Sequence, residues 1–307
     1  MIDGSYHDPV MLNECMEGLS IDPKGIYVDM TFGGGGHSKS ILQRIGEDGQ
    51  LFAFDQDADA WENRPFDDRL TLIQHNFRYA KKYLRLYGVR AVDGILADLG
   101  VSSHQFDTAD RGFSFRFDAA LDMRMNQSAE TTAATILNTY NAEKLQQIFS
   151  EYGELRNSKS LAIEIVRSRE KGVRMKTIEQ FLQVIEPCIR GKRNRYISQV
   201  FQALRIEVNE EMESLKEMLA QCVDLLKPGG RLVVMSYHSL EDRLTKQIMR
   251  NGNFSKTFEA DDFGHIYRPF KLINKKIITP TQEECERNPR ARSAKLRIAQ
   301  RTEMKRN

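Results

Sequence analysis

Asp29-Met30-Thr31-Phe32-Gly33-Gly34-Gly35-Gly36-His37-Ser38 decides how this chain folds. The apolar run Ile26-Tyr27-Val28 leads into it, and a helical-looking stretch from Lys39 to Ile45 follows. Strand, glycine turn and helix start, in that order, lay a small ligand against backbone. Side chains at Gly33 to Gly36 would block that approach or forbid the dihedrals it needs. The amides of the turn and of the helix start then serve as donors to polar ligand groups.

Outward from this turn, compact apolar runs at 26–32, 51–55, 70–74 and 94–99 read as short buried strands. Most intervals between them leave room for helices. Residues 58–64 begin one that Pro65 stops, and Tyr79, Tyr83, Leu84 and Tyr87 fall near one helical face. The alternation predicts a mostly parallel sheet covered by helices. It ceases near Gly100. Helix-like segments at 130–138, 141–151, 156–170, 176–187 and 198–226 come next. Lys227-Pro228-Gly229-Gly230 ends the last of them and turns the chain into a strand, Arg231 to Tyr237. Strand candidates at 271–277 and 296–300 complete the sheet, while 251–270 has no clear period. The expected architecture is α/β, a Rossmann-like sheet with an all-helical domain inserted. Residues 1–124 and 201–307 form the two parts of the sheet domain, and 125–200 the insertion.

Composition limits the alternatives. The chain has 307 residues, and 45 Lys plus Arg nearly cancel 43 Asp plus Glu, so any nucleic-acid surface must be local. Cys15, Cys188, Cys222 and Cys285 are far apart and form no C-x-x-C pair. They read as reduced thiols, and no metal site is expected. No apolar run is long enough for a membrane span. Asp3, His7 and Asp8 precede any apolar stretch, unlike a signal peptide. A cytoplasmic protein is expected.

The glycine turn does not fit the dinucleotide pattern G-x-G-x-x-G, because Ser38 stands at the third glycine position, and it lacks the G-K-[ST] of a triphosphatase loop. Asp55 ends the run Leu51-Phe52-Ala53-Phe54, 22 residues past Gly33, where an acid accepts from ribose hydroxyls. Asp29 stands beside the turn, placed to receive an amino group directly or through water. A pyrophosphate there would set two negative groups together. S-adenosyl-L-methionine, a sulfonium with an amino-acid tail, suits these acids better than a dinucleotide. Phe77, after the third strand, packs either against adenine or into the core. Asp98 ends the fourth strand. Because parallel sheets bind ligands at the carboxyl ends of their strands, Asp29, Asp55 and Asp98 belong on one rim.

Several longer motifs carry a resemblance. They are Asp29 to Ser38; Asp98-Leu99-Gly100-Val101-Ser102-Ser103-His104-Gln105-Phe106-Asp107; Arg111-Gly112-Phe113-Ser114-Phe115; and Leu121-Asp122-Met123-Arg124-Met125. Phe201 to Ile206, Ser239-Leu240-Glu241-Asp242-Arg243 and Asn288 to Ser293 continue it, and His7 with Val10-Met11-Leu12 begins it. Over nearly its whole length the chain resembles the bacterial 16S ribosomal RNA methyltransferases that modify N4 of a cytidine in the decoding region. The resemblance implies a class I Rossmann-like methyltransferase sheet with a helical insertion, which agrees with the parse above. It implies cofactor contacts at Gly35, Gly36, His37, Asp55, Phe77, Asp98 and Gln105; the turn itself adds Asp29 and Gly34. The partner it implies is 16S ribosomal RNA in the small ribosomal subunit or its precursor. It also allows a homodimer, which the sequence does not show. The loop around 251–270 is shorter than in many relatives.

The N4 amine of cytosine is a poor nucleophile, and an acceptor near its hydrogens favours methyl transfer. Asp98 is the candidate for this role. His238, after the fifth strand on the same rim, faces substrate or packs. Many amino-group methyltransferases follow the fourth strand with an Asp or Asn, two prolines and an aromatic. This chain has Asp98-Leu99-Gly100-Val101 instead, which leaves the stacking aromatic open among Phe106, Phe113, Phe115 and Tyr237. Two basic clusters suit RNA: Arg190, Lys192, Arg193 and Arg195; and Arg287, Arg290, Arg292, Lys295, Arg297 and Arg301. Such runs are also common as plain solvated surface. Arg111, Arg116 and Arg124 either face RNA or hold a loop with Asp118 and Asp122. The competing readings are a nicotinamide-dependent oxidoreductase, a non-catalytic RNA-binding assembly protein that keeps the cofactor fold, and methylation at cytosine C5, which calls for a cysteine nucleophile.

Overall fold

The computed structural model describes residues 9–255, 257–258, 264 and 266–304. His7 and part of the 251–270 loop lie outside them. In chain order, α1 (Leu12–Leu19) precedes β1 (Ile26–Asp29), and α2 (Gly36–Leu42), β2 (Gln50–Phe54), β3 (Leu70–Ile73), α3 (Ala80–Leu86) and β4 (Val92–Asp98) follow. Then come α4 (Ser103–Asp107), α5 (Ala133–Thr139), α6 (Ala142–Glu151), α7 (Ser158–Glu170), α8 (Ile178–Ile185) and α9 (Arg193–Val208). The chain ends through α10 (Glu211–Leu225), β5 (Leu226–Ser236), α11 (Ser239–Asn251), β6 (Phe270–Leu272), α12 (Gln282–Arg287) and β7 (Lys295–Arg301). It divides into two compact units, Met1–Gly100 with Met212–Asn307, and Val101–Glu211.

The first unit holds the sheet, with strand order β3-β2-β1-β4-β5-β7-β6. The strands from β3 to β5 run parallel, and β7 is antiparallel to both its neighbours. Val28, Ala53, Ile95, Leu96, Val233 and Val234 are fully buried. Covering on both faces is why these strands read as unbroken apolar runs. After β3 the chain crosses to the far side of β1 and forms β4, so the order reverses between β1 and β4. That switch point is where open α/β sheets bind ligands.

Three details depart from expectation. Helix α1, not anticipated, buries Cys15, Met16 and Leu19 on the sheet. Gly18 permits the approach: a Cβ there would stand 2.8 Å from Ile298 Cδ1. Strand β6 stops at Leu272 rather than 277 because the Asn274 side chain replaces the ladder. Its Oδ1 accepts from Ile298 N at 2.7 Å and its Nδ2 donates to Leu296 O at 3.2 Å. Strand β5 starts at Leu226, opposite Val92, and resumes pairing at Arg231, so Lys227–Gly230 bulge outward with Gly229 at φ 87°.

The second unit is helical, with Leu137, Leu145, Phe149, Leu161, Ile165, Phe181, Ile197 and Leu204 in its core. It is wider than the expected 125–200. Phe113, Leu121 and Met123 belong to the same core, and α9 runs unbroken past residue 200. The single helix expected at 198–226 is two helices. Glu210 takes φ 48°, and Asn209 turns its side chain to Met125 N (2.7 Å) and Met123 O (2.8 Å). Among the described residues no helix is long and apolar enough to cross a membrane. The four cysteines are free.

Candidate active site

The ends of β1, β2, β4 and β5 bring carboxyl groups onto one rim of the sheet unit. Asp29, the last residue of β1, is fully buried. Its Oδ2 accepts from Ser38 Oγ at 2.7 Å and its Oδ1 from Thr31 N at 3.0 Å. Burial pushes this carboxyl up, against Ser38 and His37, which hold it down. The direct cofactor contact expected of Asp29 is corrected by its zero exposure. Instead it ties the glycine turn to the first turn of α2. Thr31 continues the tie, since its Oγ1 accepts from Asp98 N at 2.7 Å.

In the glycine turn, Gly33 has φ 52° and Gly35 φ 74°. A Cβ on Gly35 would lie 2.9 Å from Phe32 Cζ, so the turn admits no side chain there. Gly36 faces Pro9 at 3.0 Å in the same sense. Gly34, between Gly33 and Gly35, is half-buried.

Asp55 follows β2 and braces the turn from the other side. Its Oδ2 accepts from Gly33 N at 2.8 Å and its Oδ1 from Asp57 N at 2.9 Å. Burial raises its carboxyl to about 6 in spite of those two amides, with Asp57 and Asp29 adding to the rise. Each oxygen of a carboxylate has a further lone pair, so acceptance from a ribose remains open to a half-buried Asp55. Asn76, after β3, donates to Gln56 Oε1 at 2.9 Å and so joins the loops that follow β2 and β3. Phe77 follows it, half-buried, at the start of a short 3-10 turn.

Asp98 ends β4 with 23% of its side chain exposed. Tyr237, just past β5, donates from its hydroxyl to Asp98 Oδ1 at 2.8 Å. His37 Nδ1 lies 3.7 Å from Asp98 Oδ2, and His37 Nε2 lies 3.1 Å from the carbonyl of Val10. A carbonyl can only accept, so Nε2 carries a proton and donates it there, while Nδ1 faces Asp98. Burial raises the Asp98 carboxyl to about 6, with Asp29 and Glu241 adding and with His37 and Tyr237 opposing. Tyr237 is pushed well up by its own burial and by Asp98, so it stays a donor.

Glu241, in the first turn of α11, was visible in sequence only as a member of a motif. It is 2% exposed, and its Oε2 accepts from Tyr237 N at 2.8 Å and His238 N at 3.2 Å. An acid three residues into a helix that reaches back to the residue before it is a capping arrangement, and the His238-to-Glu241 spacing is the signal for it. His238 is nine-tenths buried, with Nε2 3.1 Å from Glu241 Oε1 and no completed ring hydrogen bond among the described residues. Gln105 belongs to the other unit. There it closes the start of α4 reciprocally with Ser102, Gln105 N donating to Ser102 Oγ and Ser102 N to Gln105 Oε1. Of the open stacking candidates, Phe113 is buried in the helical unit and Tyr237 is committed to Asp98.

The basic clusters divide. In the helical unit Lys192 and Arg195 are exposed, Arg193 pairs with Glu186 at 2.9 Å, and Arg190 donates to Pro187 O and Ile189 O. In the sheet unit Arg292 is exposed and Arg290 half-buried. Arg297 and Arg301 leave the expected RNA cluster. Alternation along β7 turns them inward, Arg297 onto Asp242 at 2.8 Å and Arg301 onto Val223 O at 2.8 Å. Arg111 and Arg124 hold a loop of the helical unit. Arg111 donates to Arg124 O and Met125 O, and Arg124 grips Asp122 with two nitrogens. Arg116 lies over the Phe106 ring at 5.7 Å.

A rim of clustered carboxyls, raised chiefly by burial, suits a cation and repels a phosphate, and the glycine turn leaves room for a ligand against backbone. With six of seven strands ordered about a β1/β4 switch and an antiparallel strand set in beside the last, this sheet and site define a class I S-adenosylmethionine-dependent methyltransferase. The chain belongs to the MraW methylase family, whose model matches residues 4–302. It is similar to the Ribosomal RNA small subunit methyltransferase H of Parabacteroides distasonis, 58% identical over 300 residues, covering 97% of this chain and 98% of that one. The protein of the same name from Phocaeicola vulgatus is 57% identical over 297 residues, covering 96% of this chain and 97% of its own length.

Proposed function

We propose that this protein transfers a methyl group from S-adenosylmethionine to the exocyclic N4 of a cytidine in the decoding region of 16S ribosomal RNA. The observation that carries the reading is Asp98. It is a partly exposed carboxylate at the switch point, fixed through one oxygen by Tyr237 and faced on the other by His37. Bound at the glycine turn, S-adenosylmethionine supplies an electrophilic methyl group on a sulfonium. Gly34 to Gly36 and His37 line its place, Asp55 accepts from the ribose, and Phe77 borders the adenine. Asp98 accepts a hydrogen bond from the N4 amine and so stabilises the positive charge that grows there. Tyr237 keeps the carboxylate oriented, and Glu241 fixes the Tyr237–His238 turn. His238, buried against Glu241, shapes that turn from inside. The surplus N4 proton passes to Asp98 late, once the nitrogen carries the charge.

The target base must be splayed from its stack to reach Asp98. Lys192, Arg195, Arg292 and the neighbouring Arg190, Arg193 and Arg290 contribute phosphate contacts to the small subunit or its precursor. The proposal includes a cytoplasmic site of action and self-association. The C5 reading loses support from Cys15. This cysteine is fully buried, and its thiol is pushed well up by burial first and Asp98 next, the opposite of an activated nucleophile.

The test compares nucleosides from small-subunit ribosomal RNA of cells with and without the gene. Loss of N4-methylcytidine, restored by re-expression, is the expected result. An unchanged nucleoside profile would support the non-catalytic assembly role instead.

A further inference from the structure

Between Gly264 and Gln282 the sequence holds no Asp or Glu but carries Arg268, Lys271, Lys275 and Lys276. Lys271, Lys275 and Lys276 are exposed. None of the three has a carboxylate partner among the described residues. Some surface cations of the same unit do carry a carboxylate: Arg69 has Asp67, Arg78 has Glu217, Lys81 has Asp224 and Lys227 has Asp93. The Lys275–Lys276 turn has no such carboxylate among the described residues, and its own stretch of chain supplies none.

The turn is held rigidly and in a particular place. Asn274 accepts from Ile298 N and donates to Leu296 O and to Lys276 O, the last at 2.8 Å. Ile278 then bridges Leu296, Leu296 pairs with Met235, and Met235 pairs with Asp98. Ile278 is thus level with Asp98 along the strands and three strand spacings away, roughly 14 Å. Lys275 and Lys276 lie three and two residues before it. Arg292 lies in the short turn Pro289–Ser293 that leads into β7 at this same rim.

We infer that the Lys275–Lys276 turn is a phosphate contact for the RNA strand that flanks the target cytidine. The inference rests on the proposed function. Two ammonium groups on a backbone that Asn274 already holds, within a few nucleotides of the acceptor carboxylate, meet phosphates without the turn itself having to order. An anchor beside the rim also limits which nucleotide of a bound strand can reach Asp98.

The test uses the full chain, its Lys275→Gln/Lys276→Gln variant and its Lys275→Glu/Lys276→Glu variant. Methyl transfer from labelled S-adenosylmethionine to undermethylated small-subunit particles is measured against particle concentration and against KCl. The charge-removal variant is expected to raise KM for the particle roughly tenfold near physiological salt, and charge reversal to raise it further. The log–log salt slope should fall by about 1.5, while kcat and the calorimetric affinity for S-adenosylmethionine hold. An unchanged KM and slope would overturn the inference. So would loss of cofactor affinity in both variants, which would make the turn structural. A loss seen with particles but absent in binding to naked 16S RNA would assign the surface to a ribosomal protein and overturn it as well. If the wild-type chain transfers no label, the proposed function itself has failed.

Discussion

The sheet unit and the helical unit both bury polar side chains, but to different ends. In the helical unit the buried groups are matched locally: Arg111 by backbone carbonyls, Arg205 by Glu211 at 2.9 Å, and Gln105 by Ser102. In the sheet unit Asp29, Asp55 and Asp98 crowd one rim with hydroxyls, amides and one imidazole around them and no Arg or Lys partner among the described residues. Burial raises all three carboxyls, and Asp29 adds to the rise of Asp55 and Asp98. A fold left to optimise stability would neutralise or remove such groups. Carboxyl charge left uncompensated is therefore the mark of the site, and a cationic cofactor is what it awaits.

The largest expected effect comes from removing one of these groups. Asp98→Asn keeps an acceptor for Tyr237 but lacks the charge that steadies the reacting amine. Single-turnover methyl transfer should fall by about 10²-fold or more. A fall of less than threefold would remove Asp98 from the chemistry. The same variant sharpens the comparison through stability. A carboxyl raised to about 6 holds a proton in the native state that the unfolded chain has lost above about 4. Native stability therefore declines as pH rises through that window, and the whole penalty is present above 6. Asp98→Asn should melt higher than wild type at pH 7, by a stability gain of order 1–2 kcal/mol, with little gain at pH 4. Matched melting curves at the two pH values would show that the rim carries no such charge.

Asp55→Ala comes next. Losing an acceptor for the ribose and for Gly33 N should weaken S-adenosylmethionine by roughly 10- to 100-fold in calorimetry. Unchanged affinity would reject the assignment. Cofactor binding near pH 6 should also release protons, because a cation placed beside half-protonated carboxyls draws them into the ionised form. Calorimetry in buffers of differing ionisation enthalpy reads this directly. Enthalpies that do not vary with buffer would argue against a raised pair.

The smallest expected effect lies in the helical unit, where charge is a matter of surface. Lys192→Glu with Arg195→Glu should raise KM for the ribosomal particle several-fold and leave cofactor affinity and melting temperature near wild type. A collapse of cofactor binding instead would erase the contrast between the two units.

Much of this was legible in the sequence. The apolar runs before Asp29, Asp55 and Asp98 mark strands buried on both faces, and an acid after such a run can only stand at a rim. The switch from strands to helices near Gly100 was equally clear. Other features depended on tertiary contacts. Helix α1 is short, and its partners Val233 and Ile298 lie more than two hundred residues away. The break at Asn209–Glu210 is made by a side chain reaching Met123 and Met125, so no local breaker announces it. Arg297 and Arg301 looked like part of a basic surface, because the eye counts charges before it applies the strand alternation that turns them inward. Tyr237 looked like a stacking aromatic, and only the fold sets its hydroxyl against Asp98.

The most direct measurement places the label. Purified wild-type and Asp98→Asn chains are given undermethylated small-subunit particles and methyl-labelled S-adenosylmethionine, and the ribosomal RNA is digested to nucleosides. Label on N4-methylcytidine with the wild-type chain, and nearly none with the variant at saturating S-adenosylmethionine, is the predicted result. Label on another atom, or equal label with both chains, would contradict a methyl transfer directed by the acid rim.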